Sequence, residues 1–331
     1  MTIALYYFKS LFDTRNPLGL FMDVIQLAIP INTHIFIIYQ AATLRKFHRK
    51  VWQLFMMVEK SLKACDIDTR SNLERFFMRY SVKCVTLIVI ACGTELTIIG
   101  LIAEHSDGWK WHRTLALAPF LGNRLCLLML MLYIELYHIF LTVIAEEMAK
   151  VVKLSQANNL QNPLKQFILY HKCKCFKENV STLWYIMKYI NKSFGWSIFV
   201  NITMNFIILI VDYYWNFKAL YLNTSASELA SLLCSIPLVA VLLPFIQSCD
   251  RSLRPIESIK HLMGKIKLDT DNQYLNRFIK QFSLQILQYK FDLSASGFFS
   301  INFGLLQGFV SSMTIYLVIV IQFELSDHYT Y

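Results

Sequence analysis

Residues 301–323 read INFGLLQGFVSSMTIYLVIVIQF and contain no acidic, basic or histidine side chain. A membrane helix needs about 20 mostly apolar residues to cross about 30 Å of hydrocarbon. This run is long enough and apolar enough, so it predicts a membrane-spanning α-helix close to the carboxy terminus.

Five more apolar stretches of comparable length precede this one. They occupy approximately residues 20–41, 80–103, 117–144, 196–220 and 229–247. The composition fits six spans, because 56% of the residues are hydrophobic, only 16% are charged and the mean hydropathy is +0.43. A soluble domain carries about 25% charged residues, so this chain has too little polar surface to enclose water-soluble cores. The sequence therefore predicts an all-α, multi-pass membrane protein built as a helical bundle.

Basic residues are concentrated in three long segments that alternate with short ones. Segments 42–79, 145–195 and 248–300 hold 9, 8 and 8 of the 32 Lys and Arg residues. Lys and Arg near span ends stay on the cytoplasmic side, so these segments are expected inside and the C-terminus outside. The net charge of +10 is explained by the basic residues of these cytoplasmic segments. No nucleic-acid partner is therefore expected.

The same topology bears on the N-terminus and on glycosylation. Six spans with an external C-terminus place the N-terminus outside as well, so residues 1–41 are interpreted as an external N-terminal remnant and the first visible span, with an earlier span missing. Asn223-Thr224-Ser225 is a glycosylation sequon in the short external segment 221–228. Asn223 is therefore the predicted glycosylation site.

The long internal segments carry apolar side chains at helical spacing, which predicts that the spans continue into the cytosol as helices. The three stripes are Leu141, Ile144, Met148, Val151 and Val152; Val180, Leu183, Trp184, Met187 and Ile190; and Leu275, Phe278, Ile279, Phe282 and Ile286. Thr270 or Asp271 is the candidate N-cap of the third helix. Such stripes pack against one another in a cytoplasmic anchor or against the inner leaflet as surface helices. The mixed charge of the polar faces favours the anchor.

The terminal span has a stripe that contact with lipid does not explain. On a helical wheel one face holds Gly304, Gln307, Gly308, Ser311, Ser312, Ile315, Ile319, Gln322 and Phe323. A polar stripe on a membrane helix must face protein or water. Small residues also mark close helix packing, and that alternative explains Gly304 and Gly308 better than Gln322.

The end of this span resembles the hallmark of the insect gustatory receptor family, which is Thr-Tyr, five apolar residues and then Gln-Phe. Tyr316, the apolar residues 317–321, Gln322 and Phe323 match it. Ile315 stands where the family has Thr, so a hydroxyl contact of the motif is not available from that position.

The resemblance extends beyond the motif. The pairs Gly297-Phe298 and Ile301-Asn302 look like the family's run into its last helix, and the layout of long basic internal loops and short external loops is similar along nearly the whole chain. The family architecture has seven helices with an internal N-terminus. The resemblance therefore implies a seven-helix bundle whose first span is absent here.

What the resemblance implies is a subunit of a ligand-gated, non-selective cation channel, similar to the insect olfactory co-receptor, that detects small-molecule tastants at the plasma membrane of sensory neurons. Four identical or related subunits would surround a central pore in the lipid membrane. By position, the gate residues would be Ile315, Tyr316, Ile319, Gln322 and Phe323. Residues 42–247 would form the ligand-sensing bundle with its cytoplasmic extensions, and residues 248–331 the anchor helix and the pore span. Leu317 stands where sugar-sensing relatives often have Glu, which favours a bitter or other non-sugar tastant.

Ionisable residues in the external halves of the spans are the candidates for the ligand site. Glu95, Arg124 and Asp212 are costly at such depth, so they are expected to pair with one another or to line a cavity. Tyr213 and Trp215 follow Asp212, and aromatic walls with few polar groups suit a small ligand. Two structural alternatives stay open: an ion pair of Arg124 with Glu95 or Asp212, and an ordinary aromatic belt at the membrane interface.

Other functional classes fit less well. A G-protein-coupled-type chemoreceptor, the nearest alternative, needs an internal and usually basic tail, yet residues 324–331 contain no Lys or Arg. A transporter would show two halves with matched broken helices, whereas Pro237 and Pro244 interrupt one span only. An intramembrane enzyme would need a nucleophile with a placed base. The His and Cys residues do not have metal-binding spacing, so no enzyme activity, cofactor or metal is expected.

Overall fold

The computed structural model describes residues 17–103, 107–156, 163–221, 225–266 and 273–328, and helices dominate these ranges. The helices are α1 (Pro17–Thr43), α2 (Arg45–Ala64), α3 (Arg70–Ala103), α4 (Asp107–Gln156), α5 (Pro163–Tyr221), α6 (Ser225–Ser252), α7 (Arg254–Lys265), α8 (Gln273–Gln288) and α9 (Phe303–His328). Within the described ranges there is no β-strand, only an isolated bridge between Ser294 and Ser300. The predicted all-α fold is confirmed.

Six stretches of helix in the described ranges are long and apolar enough to cross a membrane. They lie in α1, α3, α4, α5, the α6–α7 region and α9, and so match the six predicted spans. α5 is the longest helix, with 59 residues, and at 1.5 Å per residue it is about 90 Å long. Since the hydrocarbon layer is about 30 Å thick, α5 must project far beyond it.

The projecting parts of α4 and α5 pack with α2, α7 and α8 at one end of the bundle. We call it the basic end, because it contains the Lys- and Arg-rich segments 42–79, 145–195 and 248–300. Of the three apolar stripes predicted there, only Trp184 and Phe278 are half-buried, and all other members are buried. Packing between the helices is thus confirmed. The candidate N-cap residues Thr270 and Asp271 lie outside the described residues.

An aromatic cluster joins α2, α4 and α5 at the basic end. Trp52 and Phe55 contact Tyr133, with ring centroids 5.2 and 6.5 Å apart, and Phe194 lies 5.5 Å from the same tyrosine. His48 packs edge-on against Phe194 at 4.6 Å, and burial lowers the pKa of its imidazole. Because burial disfavours the charged form, this histidine is held neutral at pH 7.

Residues 289–302 connect α8 to α9 and are called the linker. Gly297 has φ +85°, a left-handed conformation that only glycine adopts without steric cost. Gly195 of α5 lies so close to the linker that a Cβ at this position would be 2.9 Å from the backbone nitrogen of Ser296. The linker is therefore seated directly on α5.

The terminal helix α9 is the least covered span. None of its apolar stretch is buried, whereas 67% of that of α4 is. It rests on α5 and α6 along one side, where Leu306, Phe309 and Met313 pack against the core. The opposite side of α9 meets no other part of the described chain, so it is left for lipid, water or another subunit.

Candidate functional site

The stripe predicted on the terminal helix lies on the uncovered side of α9. Its exposed members are Gly304, Gln307, Gly308, Ser311, Ile315, Ile319, Gln322 and Phe323. Ser312 is half-buried, and the Ser311 hydroxyl donates to the Gln307 carbonyl oxygen at 3.0 Å. The exposed stripe thus combines glycines, polar side chains and, toward the C-terminal end, large apolar side chains.

Tyr316 lies at the edge of this stripe, one turn from Ser312 and two turns from Phe323. Its ring is edge-on to Phe206 of α5 at 6.1 Å, and Phe309 contacts the same Phe206 at 4.7 Å. Tyr316 remains 52% exposed. All five predicted gate residues are therefore exposed, and Tyr316, at the edge of the stripe, also contacts Phe206 of α5.

A groove of about 470 Å³ separates α9 from parts of α5 and α6. Among its lining residues, Tyr213 and Thr314 carry the only polar side-chain groups. The Thr314 hydroxyl donates to the Val310 carbonyl oxygen at 3.0 Å, so it is satisfied within its own helix. The groove is therefore an apolar surface.

The ionisable residues predicted for the ligand site are brought together in part. Arg124 of α4 donates from Nη2 to Oε1 of Glu95 of α3 at 2.7 Å, and the two side chains are 9% and 0% exposed. Asp212 of α5 instead accepts from Nε2 of Gln26 of α1 at 3.0 Å. Of the two ion pairs considered for Arg124, the one with Glu95 is present, and Asp212 has a different partner.

Buried amides continue from these groups along α4 and α5. Asn201 donates to the carbonyl oxygen of Asn123 at 3.0 Å, and Asn205 donates to Oδ1 of Asn201 at 2.9 Å. Asn123 donates to the carbonyl oxygen of Pro30 at 3.3 Å, which joins α1 to the same network. We call these three asparagines, together with Gln26, Glu95, Arg124 and Asp212, the polar seam.

Some buried atoms at the polar seam have no hydrogen-bond partner among the described residues. Arg124 Nη1 and Asn123 Oδ1 are buried without a hydrogen-bond partner in the part of the chain that the structure describes. The neighbouring Gly122 leaves room for His34 of α1, because a Cβ at Gly122 would overlap the imidazole ring. His34 Nδ1 is also buried and unpartnered among the described residues. Buried polar atoms are nearly always hydrogen-bonded, so these three unpartnered atoms are exceptions among the described residues.

The two aromatic residues predicted for the pocket have different surroundings. Tyr213 is 38% exposed and lines the apolar groove. Trp215 is half-buried against a small core of Met22, Val211 and Tyr214, with its ring 5.3 Å from that of Tyr214. The five predicted pocket residues are thus divided between the polar seam, the groove and this small core.

Sequence reasoning missed most of the polar seam. Gln26, Asn123, Asn201 and Asn205 are uncharged, and they lie inside apolar spans. Asn201, Asn205 and Asp212 are spaced i, i+4 and i+11, so they share one face of α5. This spacing is the signal that identifies them.

Two further predictions concern sites outside the seam. Asn223, the predicted glycosylation site, lies outside the described residues. Across the residues that can be described, no group of three or more His, Cys, Asp or Glu side chains is placed to hold a metal ion.

Comparison with known sequences agrees with the family resemblance seen in the sequence. The family described as 7tm Chemosensory receptor matches residues 1–327. Gustatory receptor 23a of Drosophila melanogaster is 29% identical over 161 residues, and Putative gustatory receptor 2a of the same organism is 26% identical over 169 residues. These matches cover 47% and 44% of this chain and 42% and 39% of the relatives. The chain thus spans about two fifths of the length of the curated relatives that it matches.

Two solved structures share the fold. The insect olfactory receptor OR5 from Machilis hrabei aligns with a TM-score of 0.66 and 8% identity, covering 96% of this chain and 84% of that chain. The same receptor in complex with eugenol aligns with a TM-score of 0.58 and 8% identity, covering 97% and 86%. At such low identity the likeness concerns the fold alone, and it confirms the predicted membrane-bundle architecture.

Proposed function

The chain belongs to the 7tm chemosensory receptor family, and from that membership we propose that it is a subunit of a ligand-gated, non-selective cation channel that detects small-molecule tastants. Its sequence relatives are gustatory receptors, and it has the fold of an insect olfactory receptor. The sequence relatives and the structural neighbour are receptors and not enzymes.

The uncovered stripe of α9 is the observation that carries the channel proposal. In a single chain the exposed Gln307 and Gln322 amides would face the hydrocarbon of the membrane. A polar group in an apolar environment without a hydrogen-bond partner costs several kcal/mol of free energy. Four copies with their α9 helices around one axis would turn these stripes toward water and toward each other. Closed rotational symmetry is the usual arrangement of identical subunits, and related family members could take some of the positions.

The C-terminal part of the stripe has the composition of a gate. Rings of Ile319 and Phe323 would form an apolar constriction that stops ions by dewetting. Gln322 precedes Phe323 and therefore lies about 100° away around the helix. A rotation or outward tilt of α9 would replace the apolar ring with the Gln322 amides, which can solvate a cation. We propose that this exchange is the gating step.

The polar seam is the proposed ligand site. Arg124 Nη1 and Asn123 Oδ1 offer one donor and one acceptor, and a small, mostly apolar molecule with one or two polar groups would satisfy them. The solved olfactory receptor of the same fold is in complex with eugenol, a small molecule. Leu317 at the position of the sugar-sensing Glu supports a bitter or other non-sugar tastant.

α5 offers a route from the polar seam to the pore helix. Asn191 donates from Nδ2 to the Asp292 carbonyl oxygen at 2.7 Å and accepts from the Ser294 backbone nitrogen at 3.3 Å. Further along α5, Phe199 contacts Phe298 of the linker, with ring centroids 4.7 Å apart. A shift of α5 on ligand binding would therefore move the linker and, with it, the start of α9.

The proposed orientation rests on the charge distribution, and the proposed location rests on the family membership. We propose a multi-pass protein of the plasma membrane of sensory neurons, with the basic end in the cytosol, the C-terminus outside and Asn223 glycosylated. The Lys and Arg residues of the basic end support this orientation.

Patch-clamp recording of Gln322 variants tests the proposal. Cells expressing the chain, alone or with related subunits, are compared with cells expressing Gln322→Ala, Gln322→Glu or Val310→Ala, the last being a control on the groove side of α9. We expect Gln322→Ala to alter conductance or selectivity, and Gln322→Glu to raise relative Ca²⁺ permeability because carboxylate rings attract cations. Unchanged permeation in both variants, with normal surface protein, would remove Gln322 from the pore.

A further inference from the structure

A second cavity, of about 440 Å³, lies between α3, α4 and α6 at the basic end. It shares no residue with the polar seam, the groove or α9. Its charged lining residues are Arg75, Arg79, Lys83, Glu135, Glu146 and Arg251. Basic groups therefore outnumber acidic ones in this cavity.

Pairing among the described residues neutralises only one of the basic groups that line this cavity. Lys83 Nζ lies 2.6 Å from Oε1 of Glu135, and the Ser248 hydroxyl donates to the same oxygen at 2.8 Å. The three arginines are exposed, and none of them forms an ion pair with another described residue. Glu146 is exposed and is the remaining negative charge. A positive charge is thus left uncompensated in a concave site.

The cavity lies at the level where apolar spans give way to polar sequence. The predicted span 80–103 begins directly after Arg79, and the predicted span 229–247 ends four residues before Arg251. Headgroups of membrane lipids occupy this level, and grouped basic residues beside membrane spans attract anionic headgroups.

We propose that this cavity binds a phosphate-bearing anion, either the headgroup of an anionic phospholipid or a soluble phosphate of the same chemistry. Guanidinium groups donate paired hydrogen bonds to phosphate oxygens, which makes arginine better suited to this task than lysine. The amide of Gln247, which also lines the cavity, adds a neutral donor. The volume lies within the range of small-ligand sites, about 300–1,000 Å³.

Thermal unfolding of the full chain, purified in detergent, tests the site. The probes are dioctanoyl phosphatidylinositol 4,5-bisphosphate, inositol 1,4,5-trisphosphate and dioctanoyl phosphatidylcholine. The test variant combines Arg75→Gln, Arg79→Gln and Arg251→Gln. The matched control combines Arg45→Gln, Arg49→Gln and Arg277→Gln, which removes the same charge from exposed positions of the basic end outside the cavity.

We expect the bisphosphate lipid to raise the unfolding midpoint of the natural chain and of the control equally, and phosphatidylcholine to have no effect. The test variant should bind the bisphosphate lipid at least about tenfold more weakly, since the loss of each hydrogen bond to a charged group lowers the affinity by about that factor. A trisphosphate that reproduces the shift identifies a soluble source, and a shift with the lipid alone identifies the membrane; both support the site.

Equal weakening in the two triple variants, or no shift of the natural chain, overturns the proposal, because simple attraction between surface charges would then suffice. Should the triple test variant have an altered midpoint without ligand, Arg79→Gln alone serves as the second variant. The unfolding midpoint and its shift with each probe do not depend on channel activity. A negative result for this site is therefore distinct from failure of the proposed function.

Discussion

Arg124 forms a buried ion pair and is also a proposed ligand contact. Its Nη2 lies 2.7 Å from Oε1 of Glu95. This ion pair offsets the free-energy cost of burying two charges inside the bundle. Its Nη1 is buried and has no partner within the described ranges. The pairing and pocket interpretations of this residue are therefore compatible, because different nitrogens of one guanidinium group serve them.

Replacing Glu95 with Gln should destabilise the fold by about 3–5 kcal/mol, because the Arg124 charge is then buried without a counter-charge. The double variant Glu95→Gln/Arg124→Gln removes both charges and should recover most of that loss. The measurement is the unfolding midpoint of the purified receptor. A double variant no more stable than the single one would contradict the ion-pair account. If Arg124 also contacts ligand, the double variant should fold and yet show altered tastant sensitivity.

At the level of elements, hydrogen bonds hold the linker together and join its end to the start of α9. Asn302 accepts from the Leu305 backbone nitrogen at 3.1 Å through Oδ1, the contact of a helix N-cap. The Ser300 hydroxyl donates to Asp292 Oδ2 at 3.1 Å within the linker. A linker tied together in this way and seated on α5 can transmit a displacement rather than absorb it.

Gly195→Ala should disturb this contact, because the new Cβ would lie 2.9 Å from the Ser296 backbone nitrogen. Overpacking of this kind costs about 1–3 kcal/mol, and we expect a lower unfolding midpoint together with shifted tastant sensitivity. Gly264→Ala in α7 is the matched control, since nothing lies within 4 Å of its Cβ position. Alanine is favoured over glycine in a helix by about 0.5–1 kcal/mol, so the control should be neutral or slightly stabilised. Equal behaviour of the two variants would argue against close seating of the linker.

In the whole molecule, the closely packed basic end and the uncovered helix α9 have different roles. α2, α4, α5 and α7 enclose a continuous apolar core at the basic end, which makes that end the stable part of a single chain. α9 is left uncovered by the described residues, so lipid, water or another subunit would complete its environment. An assembly held at its basic end would leave α9 able to rotate or tilt.

Orientation is a property of the whole molecule and can be tested directly. An epitope tag after Tyr331 should be labelled on intact cells, whereas a tag inserted within 157–162 should be labelled only after permeabilisation. Asn223→Gln should remove a glycan-dependent change in electrophoretic mobility and leave both labelling patterns unchanged. A C-terminal tag that needs permeabilisation would place that terminus in the cytosol and rule out the proposed pore orientation.

The sequence alone determined the six spans, the basic end, the buried stripes of α4, α5 and α8, and the family motif at the end of α9. These are properties of local windows, since hydropathy, charge and helical periodicity need only neighbouring residues. Only the tertiary structure decided that Glu95 and not Asp212 pairs with Arg124, that Tyr213 lines the groove and Tyr316 contacts Phe206, and that uncharged amides complete the polar seam. Those outcomes depend on how each helix is rotated and crossed against the others, and packing between residues distant in the chain sets that rotation.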